Sequence, residues 1–173
     1  GSCFPKDTLA LTRTAQEAGT PLRLIETTVE VNDRRKHDMA KKVIRAMGGD
    51  VRGKTISVLG LTFKPGTDDM REAPSLDIIP ALQDAGASIR AYDPAGTVEA
   101  EKLLKDVEFT SGPYLCAEGA DALVIITEWN EFRALDTKRL KEIMAGDVVV
   151  DLRNIYSPDD MKNRGFTYVS VGR

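Results

Sequence analysis

Apolar residues return along this chain with two different rhythms. Up to about residue 47 they recur every three or four positions, the spacing of one helix face; beyond residue 55 they come in short runs separated by polar helical patterns. Leu11, Ala15 and Ala18 share a helical stripe, and Gly19 is placed to end that helix. A longer helix is expected from Pro21 to about Met47. Leu22, Ile25 and Val29 mark its stripe, and Met39, Val43 and Met47 resume it. Between them lies a wholly polar run, Asn32 to Asp38. A helix with apolar ends and a polar middle reads as a connector between domains or subunits. Gly48-Gly49 closes it.

The second half alternates strand and helix. Strands are expected at Thr55–Gly60, Ala87–Tyr92, Val107–Phe109, Ala122–Ile126, Val148–Asp151 and Phe166–Val169. Helices are expected at Ser75–Gly86 (kinked at Pro80, or with Pro80 near its start), Val98–Leu104, Tyr114–Gly119, Asp136–Met144 and Asp159–Arg164. Ala122–Ile126 is an almost unbroken apolar run, as suits a strand buried on both faces of a parallel sheet. The fold class is therefore α/β: a long connecting helix followed by a Rossmann-like, doubly wound, mainly parallel sheet. The organisation divides into a helical segment 1–50 and an α/β domain 51–173.

The 173 residues carry a net charge of −3, which argues against a nucleic-acid or anionic-membrane partner. No apolar run approaches the length of a membrane span. Cys3 and Cys116 are far apart and His37 is the single histidine, so neither a zinc site nor a disulfide framework is expected, and a reducing, cytoplasmic setting fits best. His37 reads as an exposed helical residue. Arg34-Arg35-Lys36 reads as a solvated helix face.

The chemistry concentrates in a few stretches. In Gly1-Ser2-Cys3-Phe4-Pro5-Lys6-Asp7 a thiol sits ahead of an expected helix start, beside a lysine, with Asp7 four residues on. The helix dipole and Lys6 favour a thiolate, while an ionised Asp7 opposes it. Cys3 and Asp7 could serve as nucleophile and water-orienting base; equally, Asp7 is a good N-cap and a lone cysteine an inert small hydrophobe. Gly48 to Thr55 spells the P-loop pattern, but a helix precedes it and a strand follows, the reverse of what that loop requires. After the first strand, Gly60-Leu61-Thr62-Phe63-Lys64-Pro65-Gly66 lacks the second and third glycines of a dinucleotide fingerprint. Lys64 and Arg71 on this loop suit a diphosphate, although Arg71 could simply pair with Asp69 or Glu72. Asp93, ahead of Pro94, stands either where a ribose hydroxyl is held or as a turn former. Arg153 adds a third cation to the same sheet edge. Trp129 and Cys116 read as packing residues.

Taken together, the opening motif, the Gly60 to Ser75 run, Tyr92-Asp93-Pro94 and Asp151-Leu152-Arg153 resemble the UDP-glucose/GDP-mannose dehydrogenase family, in family order and over essentially the whole chain. The resemblance implies an NAD-dependent, four-electron oxidation of UDP-glucose to UDP-glucuronate through a cysteine thiohemiacetal and thioester. It implies Cys3 as nucleophile and Asp7 as the carboxylate that orients water. Lys6 and Arg71 would lie beside NAD, and Phe63, Lys64 and Arg153 would contact the substrate. It further implies a homodimer through the helix Pro21 to Met47. The NAD-binding domain and its glycine-rich loop fall outside these residues, so the chain by itself is expected to be inactive. The rival readings are oxidation of GDP-mannose or a UDP-N-acetyl-hexosamine, or a non-catalytic nucleotide-sugar-binding or dimerisation module.

Overall fold

The computed structural model describes residues 3–172, of Cys3 the backbone only. Two helices lead: α1 (Cys3–Glu17) and α2 (Arg23–Ala46). Since α1 already runs from Cys3, Asp7 lies in its second turn and is not the N-cap. No described side chain of α1 is fully buried, and only Ala40 and Val43 of the 24 residues of α2 are. The pair is a hairpin whose α2 end alone is anchored in a core.

From Thr55 the chain builds one sheet: β1 (Thr55–Leu59), β2 (Ser88–Tyr92), β3 (Val107–Phe109), β4 (Ala122–Ile125), β5 (Val148–Asp151) and β6 (Thr167–Ser170). The strand order is β3-β2-β1-β4-β5-β6, and every neighbouring pair is parallel. This is the doubly wound topology, with its reversal between β1 and β4. Connecting helices are α3 (Ser75–Asp84), α4 (Thr97–Leu103), α5 (Pro113–Ala117), α6 (Asn130–Arg133), α7 (Thr137–Ile143) and α8 (Pro158–Asn163). Helix α3 continues through Pro80, which is exposed. Helix α6 is a single turn that the sequence pattern had not indicated.

Alternation along the strands divides the interior into two cores. In β4, Val124 joins Val58 and Val150 on one face, under α2, α3 and α4; Leu123 and Ile125 join Val149 on the other, under α5, α7 and α8. Four consecutive buried residues in β4 are the signature of a strand covered on both sides. Cutting Leu123 back to alanine would cost about 2–5 kcal/mol. Asp136 caps α7 by accepting the Lys138 and Arg139 N–H groups, and Ser157 caps α8 by accepting that of Asp160. The P-loop spelling is undone by geometry: Gly48-Gly49 ends a helix, the Gly53 N–H donates to Gly86 O, and Lys54 pairs with Asp121 at 3.0 Å. No helix among the described residues is long and apolar enough to cross a membrane.

Candidate functional site

Ligands of open parallel sheets sit beyond the carboxyl ends of the strands, where the order reverses. Here that crevice is filled by the protein itself. Asp93, which follows β2, is buried and accepts six hydrogen bonds. One oxygen takes the Leu61 N–H (2.7 Å), the Thr62 N–H and hydroxyl (both 3.2 Å) and the Trp129 indole N–H (3.1 Å). The other takes the Ala95 and Gly96 N–H groups at 2.9 and 2.7 Å. The turn-forming role is therefore the one realised, and no oxygen is left over for a ribose. The loops interlock closely: a Cβ on Gly60 (φ +89°) would stand 2.6 Å from Thr127 Cβ, and one on Gly96 2.3 Å from Thr62 Cγ2. The residues present do not fit a dinucleotide at this switch point.

The space open to a ligand lies to one side. A cavity of about 450 Å³ separates the helical hairpin from the sheet edge. Phe4 and Pro5 of the cysteine motif form one wall, Asn32, Lys36 and Met39 of α2 a second, and Phe63, Leu152 and Arg153 the third. The structure thus brings Phe63 and Arg153 to the segment that carries Cys3. Helical geometry places Asp7 one turn beyond Cys3; both Lys6 and Asp7 are exposed. The Cys3 side chain lies outside the described residues. Lys64 follows Phe63, is exposed, and does not line the cavity. Arg71 is exposed and grips Asp69 through Nε and Nη2, both at 2.9 Å. Cys116 is fully buried, and burial pushes its thiol up to about 11 against the opposing bond from Ser57. His37 is exposed, its ring 3.2 Å from Asp33 O. Among the described residues no cluster of three His, Cys, Asp or Glu could hold a metal ion.

Two of the cations that line the cavity, Lys36 and Arg153, are held in ion pairs. Lys36 Nζ lies 2.9 Å from Glu72 and 3.6 Å from Asp77. Partial burial works to lower its pKa, but the Glu72 hydrogen bond and the nearby carboxylates outweigh it and hold it above the ordinary lysine value. Glu72 itself adopts a left-handed backbone (φ +58°), a conformation uncommon for a side chain of its kind. Arg153 donates from Nη2 to Glu128 at 2.7 Å, with Nε beside the second Glu128 oxygen. Burial raises the Glu128 pKa, yet the Arg153 bonds and the charge of Arg133 bring it below the ordinary value.

Lys36 and Asn32 were not expected here. Of Arg34-Arg35-Lys36, the two arginines are exposed as a solvated face requires, whereas Lys36 is half-buried; Arg35 and Lys36 both border the cavity. The signal was available, because positions 29, 32, 36 and 39 follow the helical stripe through the polar run.

Residues 57–158 match the UDP-glucose/GDP-mannose dehydrogenase family, UDP binding domain, and residues 1–34 match the central domain of that family. The chain is 60% identical over all 173 residues to UDP-glucose 6-dehydrogenase of Rhizobium meliloti (strain 1021), covering 40% of that protein. It is 44% identical to UDP-glucose 6-dehydrogenase TuaD of Bacillus subtilis (strain 168), with all of this chain and 38% of that protein aligned. The chain thus spans about two fifths of the length of these curated relatives. A UDP-glucose dehydrogenase structure from the hyperthermophilic archaeon Pyrobaculum islandicum superposes with a TM-score of 0.75 at 33% identity, over 87% of this chain and 33% of that one.

Proposed function

Since the chain belongs to the UDP-glucose/GDP-mannose dehydrogenase family, we propose that it forms the cysteine-bearing and UDP-binding part of a UDP-glucose 6-dehydrogenase, which oxidises UDP-glucose to UDP-glucuronate. The observation that carries this reading is the cavity itself. It joins Phe4 and Pro5, next to Cys3, with Phe63 and Arg153 at the sheet edge. A sugar nucleotide lying there would have its sugar beside the thiol and its diphosphate toward Lys64. The proposed division is a helical segment 1–50 and a UDP-binding domain 51–173.

NAD is the hydride acceptor in this reading. The interlocked switch point does not fit it, so it meets this chain only at the exposed Lys6 and Arg71. Cys3 is the proposed nucleophile, carrying the sugar C6 as a thiohemiacetal and then as a thioester. In the hydrolysis, water attacks the thioester carbonyl, the C–S bond breaks and sulfur leaves as thiolate. Asp7, one helical turn on, accepts the water proton. A homodimer through the helix Pro21 to Met47 and a cytoplasmic location belong to the same proposal. The dimer is supported by the exposed Leu24 (84%) and Val31 (51%) on α2.

A thermal-shift titration of this chain with UDP tests the binding assignment. At about a hundred times its dissociation constant, UDP would stabilise the fold by about 2.7 kcal/mol. No shift at millimolar UDP, or an unchanged shift in Lys64→Ala, overturns the diphosphate assignment. In the full-length enzyme Cys3→Ser should form no acid product; full retained turnover overturns the thioester route.

A further inference from the structure

Three cations line the cavity: Arg35, which is exposed, and Lys36 and Arg153, which are each already neutralised. Lys36 sits between Glu72 and Asp77 at 2.9 and 3.6 Å, and Arg153 is held by both oxygens of Glu128. Each pair has one partly buried member and one exposed member. The side chains of Lys36 and Glu128 are only 21% and 26% exposed, and Arg153 and Glu128 come from the ends of adjacent strands β5 and β4, whose register fixes their approach. Glu128 does not itself line the cavity; it acts on the ligand through Arg153. Phe63, Met39 and Leu152 add apolar wall, and Asn32, Asp33 and Arg35 add polar wall from α2.

A guanidinium whose charge is compensated remains a directional hydrogen-bond donor but loses most of its attraction for an anion. Resting on the sugar-nucleotide reading above, we infer that Glu128 is a specificity-determining residue: by neutralising Arg153 it makes the cavity favour an uncharged, hydroxyl-bearing sugar over a sugar carboxylate. Glu72 does the same through Lys36. The consequence for the reaction is directional. The substrate enters with a neutral CH₂OH and leaves with a carboxylate, and the compensated cavity offers that new charge no unpaired partner at Arg153 or Lys36. The acid is therefore held more weakly than it would be by bare cations, and departs.

The charge balance can be altered without altering shape. Glu128→Gln keeps an acceptor for Arg153 and removes the negative charge. A unit charge seen across a few ångströms of partly solvated protein is worth about a tenfold change in affinity. Dissociation constants for UDP, UDP-glucose and UDP-glucuronate would be measured calorimetrically on the chain and on Glu128→Gln and Glu72→Gln. The expected result is a roughly tenfold gain for UDP-glucuronate relative to UDP-glucose in Glu128→Gln, and a gain in the same direction in Glu72→Gln. An unchanged ratio, or an equal loss for all three ligands, overturns the inference while leaving the functional reading standing. If none of the three binds the unaltered chain, the functional reading fails and the inference with it. Should Glu128→Gln fold poorly, Arg153→Gln gives the second measurement. It should weaken UDP-glucose binding with the same dependence on salt as before, because a neutralised cation contributes no net screened attraction; a flattened salt dependence overturns the inference.

Discussion

Trp129 donates its indole N–H to the Asp93 carboxylate at 3.1 Å, tying the end of β4 to the end of β2 across β1. Asn in place of Asp93 would present an amide N–H₂ to donors that now all point at carboxylate oxygens. Asp93→Asn is expected to lower unfolding free energy by about 2–4 kcal/mol in urea titrations. Trp129 is the single tryptophan, so its native emission should shift to the red as the indole loses its partner and gains water.

Gly60 gives a second measure of the same interlock. Any Cβ there meets Thr127 backbone and side chain at 2.6 Å, on a backbone with φ of +89°. Gly60→Ala is expected to destabilise the chain by about 2–4 kcal/mol, whereas Gly66→Ala, at a position with open space around it, should show only the smaller conformational cost. Equal losses in the two variants would contradict the close packing at β1.

The buried strands were legible because an apolar run such as Ala122–Ile126 has few alternatives once helices flank it. What could not be read were contacts made across the sheet edge. Asp93 and Trp129 are 36 residues apart and Arg153 and Glu128 are 25 apart, so no local pattern links them. Helix α6 escaped because one turn is too short to show a period. Lys36 was hidden for a different reason: its polar neighbours masked a stripe that continues through it. Phe63 and Arg153 were named through family resemblance, and the cavity gives them a physical setting. Lys64 and Arg71, named in the same way, lie outside its lining, and Arg71 adopts the pairing with Asp69 that its sequence neighbours allowed.

Cys116 should be chemically silent. Burial raises its thiol pKa to about 11, so very little thiolate exists at pH 8, and no solvent reaches the sulfur. A native Cys3→Ser chain is therefore expected to give no rapid reaction with a thiol-disulfide reagent, and one equivalent after denaturation. A fast native reaction would show that Cys116 is reachable.

Two partnered carboxylates set an acid limit. The Glu128 and Asp121 pKa values lie below their ordinary 4.5 and 3.8; burial raises each, and hydrogen bonds and charge from Arg153, and from Thr55 and Lys54, outweigh it. A depressed folded-state pKa contributes stability above the unfolded value and loses it as pH falls through the folded one. Unfolding free energy should thus hold to about pH 4.5 and decline below it. Glu128→Gln should make that decline shallower; an unchanged slope would mean that the Arg153 pair contributes nothing.

The anchoring of α2 at one end only has a mechanical consequence. Arg23 stands about 20 Å along the axis from Lys36, so a rotation of about ten degrees there would carry the tip of the hairpin roughly 3 Å. Phe4 and Pro5 face the same cavity as Lys36 and so lie close to the fulcrum. A partner gripping the tip would swing it while the first turn of α1 barely moves. The lever is long where it is grasped and short where Phe4 and Pro5 border the cavity.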